Sequence, residues 1–125
     1  MIGFIMIGTN NLQKAINFYD ELLLTIDLKR VVTNEKYAGY SSKEKPDDIE
    51  FYVTNPVDKQ KATFGNGTQI SFIVMTRKKV ETFYRTGIKL GGKDEGAPGI
   101  RSGDYFCYIR DLDGNKICAF TKLKS

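Results

Sequence analysis

The chain has 125 residues, 41% hydrophobic and 27% charged, enough to bury a core without staples and too apolar for a disordered segment. Its net charge of +4 is scattered, as at Lys29-Arg30, Arg77-Lys78-Lys79, Lys122 and Lys124, which fits a solvated surface and speaks against a nucleic-acid stripe. With no histidine and only two cysteines, Cys107 and Cys118, it lacks the commonest general base, the commonest transition-metal ligand and any disulfide framework.

Ile2 to Ile7 is a short apolar run suited to a buried strand. Asn10 and Asn11 offer capping oxygens, and from there Leu12, Ala15, Ile16, Tyr19, Leu22 and Leu23 fall on one face of a helix. Leu28 to Ser42 reads as one or two strands, KEKPDD from Lys43 to Asp48 as a charged turn, and Ile49 to Thr54 as a strand. Pro56 to Gly67 is a loop ending in Gly65-Asn66-Gly67. Gln69 to Val74 reads as a strand and Thr76 as a cap. Val80, Phe83, Tyr84 and Ile88 mark a second helix, closed by Gly91-Gly92. Gly96 to Asp104 reads as a loop, Tyr105 to Arg110 as a strand, Asp111 to Gly114 as a turn and Lys116 to Phe120 as the returning strand. No apolar run reaches bilayer length and no basic segment precedes the first apolar residues, so a cytoplasmic protein with no membrane partner is expected.

The order strand, helix, then about three strands occurs twice. Phe4 to Tyr19 lies over Gln69 to Tyr84 at an offset of 65 residues, Phe18 over Phe83. The segment from Tyr37 lies over that from Tyr105 at an offset of 68, which sets Glu50 over Cys118. Such a duplication predicts two like modules with a cleft between them.

Four segments carry a family resemblance: Asn11-Leu12 with Ala15 and Phe18-Tyr19, GNGTQISF from Gly65, GGKDEGAPGIR from Gly91, and RDLDGNKI from Arg110. Together they resemble the vicinal oxygen chelate superfamily of glyoxalases, bleomycin-resistance proteins and extradiol dioxygenases. The resemblance implies an α+β domain spanning 1–125. Within it, two tandem βαβββ modules (about 1–62 and 63–125) form an open, curled eight-stranded mixed sheet around a ligand cleft, often in a homodimer.

Metal-dependent members hold a divalent ion with two side chains from each module, and those positions fall here on Phe4, Glu50, Gln69 and Cys118. Phe4 has no donor, Gln69 offers a neutral amide and Cys118 a soft thiol, so no metal or other cofactor is expected. Glu50 either reaches the cleft, as a ligand contact or general base, or faces solvent beside the KEKPDD turn; a one-residue register slip decides. Gln69 can orient a polar ligand or bond to backbone. If Arg110 pairs with Asn115, Cys107 stands opposite Cys118 and Tyr105 points to the cleft, with Tyr37 at the matching place in the first module. The two thiols are then either a pair in the cleft or small buried side chains. Arg101 can clamp an anionic ligand or pair with Asp94 or Glu95. Gly96, Gly99 and Gly103 do not make a phosphate loop.

The reading is a small-molecule binding protein of the bleomycin-resistance type, with a degenerate, metal-free site that takes a small aromatic or cationic molecule. The alternatives are a glyoxalase- or dioxygenase-like lyase or isomerase with altered ligands, a metal-independent isomerase using Glu50, or a structural dimer with no ligand of its own. A histidine-free enzyme would need a carboxylate base in an apolar setting.

Overall fold

A computed structural model describes residues 1–123. The chain divides into two compact units, Met1–Thr63 and a second beginning at Phe64. Unit one runs β1 (Ile5–Gly8), α1 (Leu12–Leu24), β2 (Leu28–Thr33), β3 (Tyr37–Ser42) and β4 (Ile49–Thr54). Unit two runs β5 (Ile70–Ile73), α2 (Arg77–Lys89), β6 (Lys93–Arg101), β7 (Asp104–Arg110) and β8 (Lys116–Thr121). The fold is α+β: two βαβββ units whose eight strands form two open sheets of four, ordered β1-β4-β3-β2 and β5-β8-β7-β6. In each sheet the first strand lies parallel to the last, and the remaining pairs are antiparallel.

Both helices start on a side-chain cap. The Asn11 carbonyl accepts from the Lys14 amide and the Thr76 hydroxyl from the Lys79 amide, each at 3.1 Å, which satisfies a backbone donor that the first turn leaves unpaired. Asn10 does not cap. Its amide exchanges two hydrogen bonds with the Ala62 backbone and ties the end of unit one to the start of α1.

In unit one, α1 buries Ala15, Ile16, Phe18, Tyr19, Leu22 and Leu23; Tyr19 meets Phe51 ring to ring at 5.1 Å. Phe18 widens the buried arc beyond the expected stripe. Ala38, Tyr40, Phe51 and Val53 complete this core. Each large side chain so buried contributes about 1.5–3 kcal/mol against exposure. The corresponding core of unit two joins Val80 and Phe83 to Cys107, Ile109, Ile117 and Ala119. There Ile88 is exposed, and Gly87 is buried where α2 approaches the chain at Gly92, whose amide donates to the Gly87 carbonyl at 2.8 Å.

Two sequence expectations are corrected. Gly96 to Arg101, read as part of a loop, belongs to edge strand β6. Its ladder with β7 skips at Asp94/Gly96 and Gly96/Gly99, so Pro98 and the glycines fit a strand hydrogen-bonded on one side only. Ser102 and Gly103, both at positive φ, make the two-residue turn into β7. The β7–β8 register also differs: Arg110 pairs with Lys116, Cys107 with Ala119 and Tyr108 with Cys118. Asp111 closes on Asn115, leaving a three-residue loop whose last member, Gly114, has φ 92°. The turn is one residue longer between its pairing strands than Arg110–Asn115 pairing requires, so Cys107 and Cys118 point to opposite faces of the sheet.

Candidate functional site

Each sheet carries its helix on one face, and the chemistry not used for packing lies on the other. In unit one, Phe51 faces α1, so its neighbour Tyr52 faces away. Tyr52 meets Phe4 at 5.2 Å and Tyr37 at 5.6 Å, both edge-on. Phe4, Tyr37 and Tyr52 thus form one aromatic cluster on the helix-free face, with Phe4 57% exposed. Gly39 lies among them because no larger residue fits: a Cβ there would stand 2.7 Å from Val32 and 3.0 Å from the Tyr52 ring.

Glu50 is passed over at a bulge, where the β3–β4 ladder steps from Tyr40–Phe51 to Ser41–Ile49. It is exposed and makes no hydrogen bond or ion pair among the described residues. That bulge also corrects the internal alignment. Ile5 pairs with Phe51 as Ile70 pairs with Ile117, and Met6 with Tyr52 as Ser71 with Cys118. The counterpart of Cys118 is therefore Tyr52.

In unit two, Tyr105, Cys107 and Ile109 face α2. The Tyr105 hydroxyl donates to Glu81 at 2.7 Å, its ring lies under Arg77, and the Cys107 thiol points to the Val80 carbonyl at 3.6 Å. Tyr105 is consequently not on the face with Cys118, and its expected place beside the cleft followed from the rejected register. Phe106, Tyr108 and Phe120 occupy the helix-free face as a stacked row, Phe120 to Phe106 at 5.0 Å and Phe106 to Tyr108 at 5.8 Å. Beside Tyr108, Cys118 is fully buried. Burial raises its thiol pKa, and a hydrogen bond with Ser71 partly offsets this. Gln69 donates to the Ser71 hydroxyl at 2.9 Å.

Arg101 pairs with neither Asp94 nor Glu95. Asp94 accepts from Tyr84 and the Gly96 amide, and Glu95 pairs with Arg110 at 3.0 Å. The Arg101 guanidinium instead donates to the carbonyls of Ala97, Gly99 and Phe106 and lies 5.3 Å from the Tyr108 ring centre. Lys116 approaches the same ring at 5.1 Å. Sequence reasoning named neither Tyr52, Tyr108 nor Lys116. The alternation of Tyr105 to Arg110 contained Tyr108, but the register assigned it to the wrong face.

A family model, the Glyoxalase/Bleomycin resistance protein/Dioxygenase superfamily, matches residues 1–119. The chain belongs to this superfamily. A glyoxalase/bleomycin resistance protein from Albidiferax ferrireducens T118 is 36% identical, with TM-score 0.90 over 98% of this chain and 99% of that one. A glyoxalase-related enzyme from Fulvimarina pelagi (15% identity, TM-score 0.78, 98% and 88% covered) shares the fold. So does a lactoylglutathione lyase from Agrobacterium tumefaciens (17%, TM-score 0.69, 97% and 92%). Comparison with curated proteins gives no match.

As a set of metal donors, Phe4, Glu50, Gln69 and Cys118 are poor. Phe4 has no donor atom, and Glu50 is exposed at its bulge. Gln69 is bonded to Ser71, and Cys118 is a buried thiol whose raised pKa opposes the thiolate a metal needs. No group of three or more histidine, cysteine, aspartate or glutamate side chains among the described residues is arranged to hold an ion.

Proposed function

We propose that this superfamily member binds a small aromatic molecule on its helix-free sheet faces, without a metal ion. The observation that carries this reading is how the tyrosine hydroxyls are used. On the helix side, Tyr40, Tyr84 and Tyr105 each donate to a carboxylate, Asp20, Asp94 and Glu81. On the helix-free faces, the hydroxyls of Tyr37, Tyr52 and Tyr108 have no partner among the described residues. Aromatic faces with unspent polar tips suit a flat ligand that stacks and accepts or donates hydrogen bonds.

Catalysis by Glu50 is the weaker reading, because Glu50 is exposed to water at a bulge and a histidine-free base needs an apolar setting. We also propose a homodimer, since Met6 on edge strand β1, Phe4 just before it and Ile73 on edge strand β5 are exposed; sedimentation showing only single chains would contradict it. The two free, buried cysteines suit a reducing, cytoplasmic setting. The test of metal-free binding is titration of the purified chain with 1-naphthamide before and after exhaustive chelation. Unchanged affinity is expected. Loss of binding on chelation, restored by a divalent ion, would overturn the reading.

A further inference from the structure

The proposed aromatic ligand leaves its charge open, and the surroundings of Tyr108 bear on that. Two cations flank its ring, the Arg101 guanidinium at 5.3 Å and the Lys116 ammonium at 5.1 Å from the centroid. Among the described residues, no carboxylate lies within ion-pair distance of either. Elsewhere the chain does neutralise cations: Arg30 meets Asp20, Lys43 meets Asp27, and Arg110, on this same face of the sheet, meets Glu95.

Arg101 is not a free surface side chain. Three backbone carbonyls fix its guanidinium, and Gly96 leaves the room, since a Cβ there would stand 2.7 Å from the Tyr108 ring and 3.2 Å from the Arg101 guanidinium. Carbonyl dipoles and a ring face offset part of the cost of holding two like charges together, but leave their summed positive potential in place. That potential repels a cationic ligand. It attracts an anion, and the Tyr108 hydroxyl and Lys116 ammonium can both donate to one. The stacked row of Phe106 and Phe120 supplies apolar surface alongside.

Resting on the proposed aromatic-binding reading, we propose that the ligand is an aromatic carboxylate. Its ring lies on the Phe106–Tyr108–Phe120 face, and its carboxylate accepts from the Lys116 ammonium and the Tyr108 hydroxyl within the field of Arg101. Charge-assisted hydrogen bonds of this kind are about twice as strong as neutral ones, and the ammonium-to-carboxylate contact weakens as salt screens it.

The experiment is calorimetric titration of the full chain with 1-naphthoate, neutral 1-naphthamide and 1-naphthylmethylammonium, at low and high salt. Naphthoate is expected to bind about tenfold more tightly than the amide, with the ammonium weakest and the preference shrinking as salt rises. Lys116→Met should lower naphthoate affinity far more than amide affinity and so abolish the preference; Lys116→Arg should keep it. If Lys116→Met does not fold, Lys116→Gln and the salt dependence of the unaltered chain decide the matter. Equal binding of all three probes would overturn the anionic assignment and leave the aromatic-face reading standing. Failure of every probe to bind would overturn that reading and this proposal together. A Lys116→Met chain that falls from dimer to monomer while keeping its preference for naphthoate would give the cations to a second copy and also overturn the proposal.

Discussion

The Tyr40 hydroxyl donates to Asp20 at 2.8 Å, joining β3 to α1 inside unit one. Arg30 forks onto the same carboxylate at 3.0 Å and reaches the Thr33 hydroxyl, so one aspartate ties together a helix and two strands. Tyr40 is fully buried, and desolvation followed by the Asp20 bond pushes its pKa far above the ordinary value. Removing the acceptor strands that hydroxyl. Asp20→Ala should cost roughly 1–3 kcal/mol in urea unfolding, and Tyr40→Phe, which leaves Arg30 and Asp20 paired, about 1 kcal/mol. The reverse order would show that the carboxylate does not depend on its buried partner.

Gly114 closes the β7–β8 loop at φ 92°, and a Cβ there would stand 2.5 Å from the Phe64 ring, which also lies 5.5 Å from Arg110. Gly114→Ala meets both a left-handed backbone and a clash. It should destabilise the chain by more than the roughly 1–2 kcal/mol expected for the conformation alone. Phe64→Ala in the same chain should restore the excess and not the conformational part. A double-mutant cycle measured by denaturant unfolding checks this, and strict additivity would count against the contact.

Burial pushes the Cys107 thiol up to about 12 from an ordinary 9.0, and raises that of Cys118 as well. A small thiol reagent should therefore label neither cysteine in the folded chain at mildly alkaline pH. The sign for stability follows. Because the folded-state value is the higher one, the Cys107 contribution is complete below about 9.0 and lost as pH rises toward about 12. Cys107→Ala should flatten the loss of unfolding free energy over that window. An unchanged slope would mean another group controls it.

The repeat was legible because helices keep their spacing: Leu12–Leu24 and Arg77–Lys89 stand 65 residues apart, as do their caps Asn11 and Thr76. Strand β4 was legible to the residue, between Pro46 and Asn55. What escaped was register. A bulge has no signature of its own in sequence, and the ladders pair Met6 with Tyr52 as they pair Ser71 with Cys118, two residues beyond Glu50. Separately, the Asp111–Asn115 closure moved the β7–β8 register by one, exchanging Tyr105 for Tyr108 on the helix-free face. Strand β6 was hidden by its glycines and Pro98, which read as a loop unless the strand is known to lie at an edge. Phe4, Tyr37 and Gln69 were singled out from sequence; the sheet ladders were needed to place Tyr52, Tyr108 and Lys116 on the helix-free faces.

The central claim is that ligand contact belongs to the helix-free faces, and ring-labelled tyrosine distinguishes these faces directly. The chain carries seven tyrosines, of which Tyr37, Tyr52 and Tyr108 have unspent hydroxyls, while Tyr40, Tyr84 and Tyr105 are bonded to carboxylates. In a two-dimensional NMR titration with 1-naphthoate in the presence of a chelator, the ring signals of Tyr37, Tyr52 or Tyr108 should shift saturably. Those of Tyr40, Tyr84 and Tyr105 should stay in place. Saturable shifts confined to the carboxylate-bonded tyrosines, or no saturable shift at any ring, would contradict it.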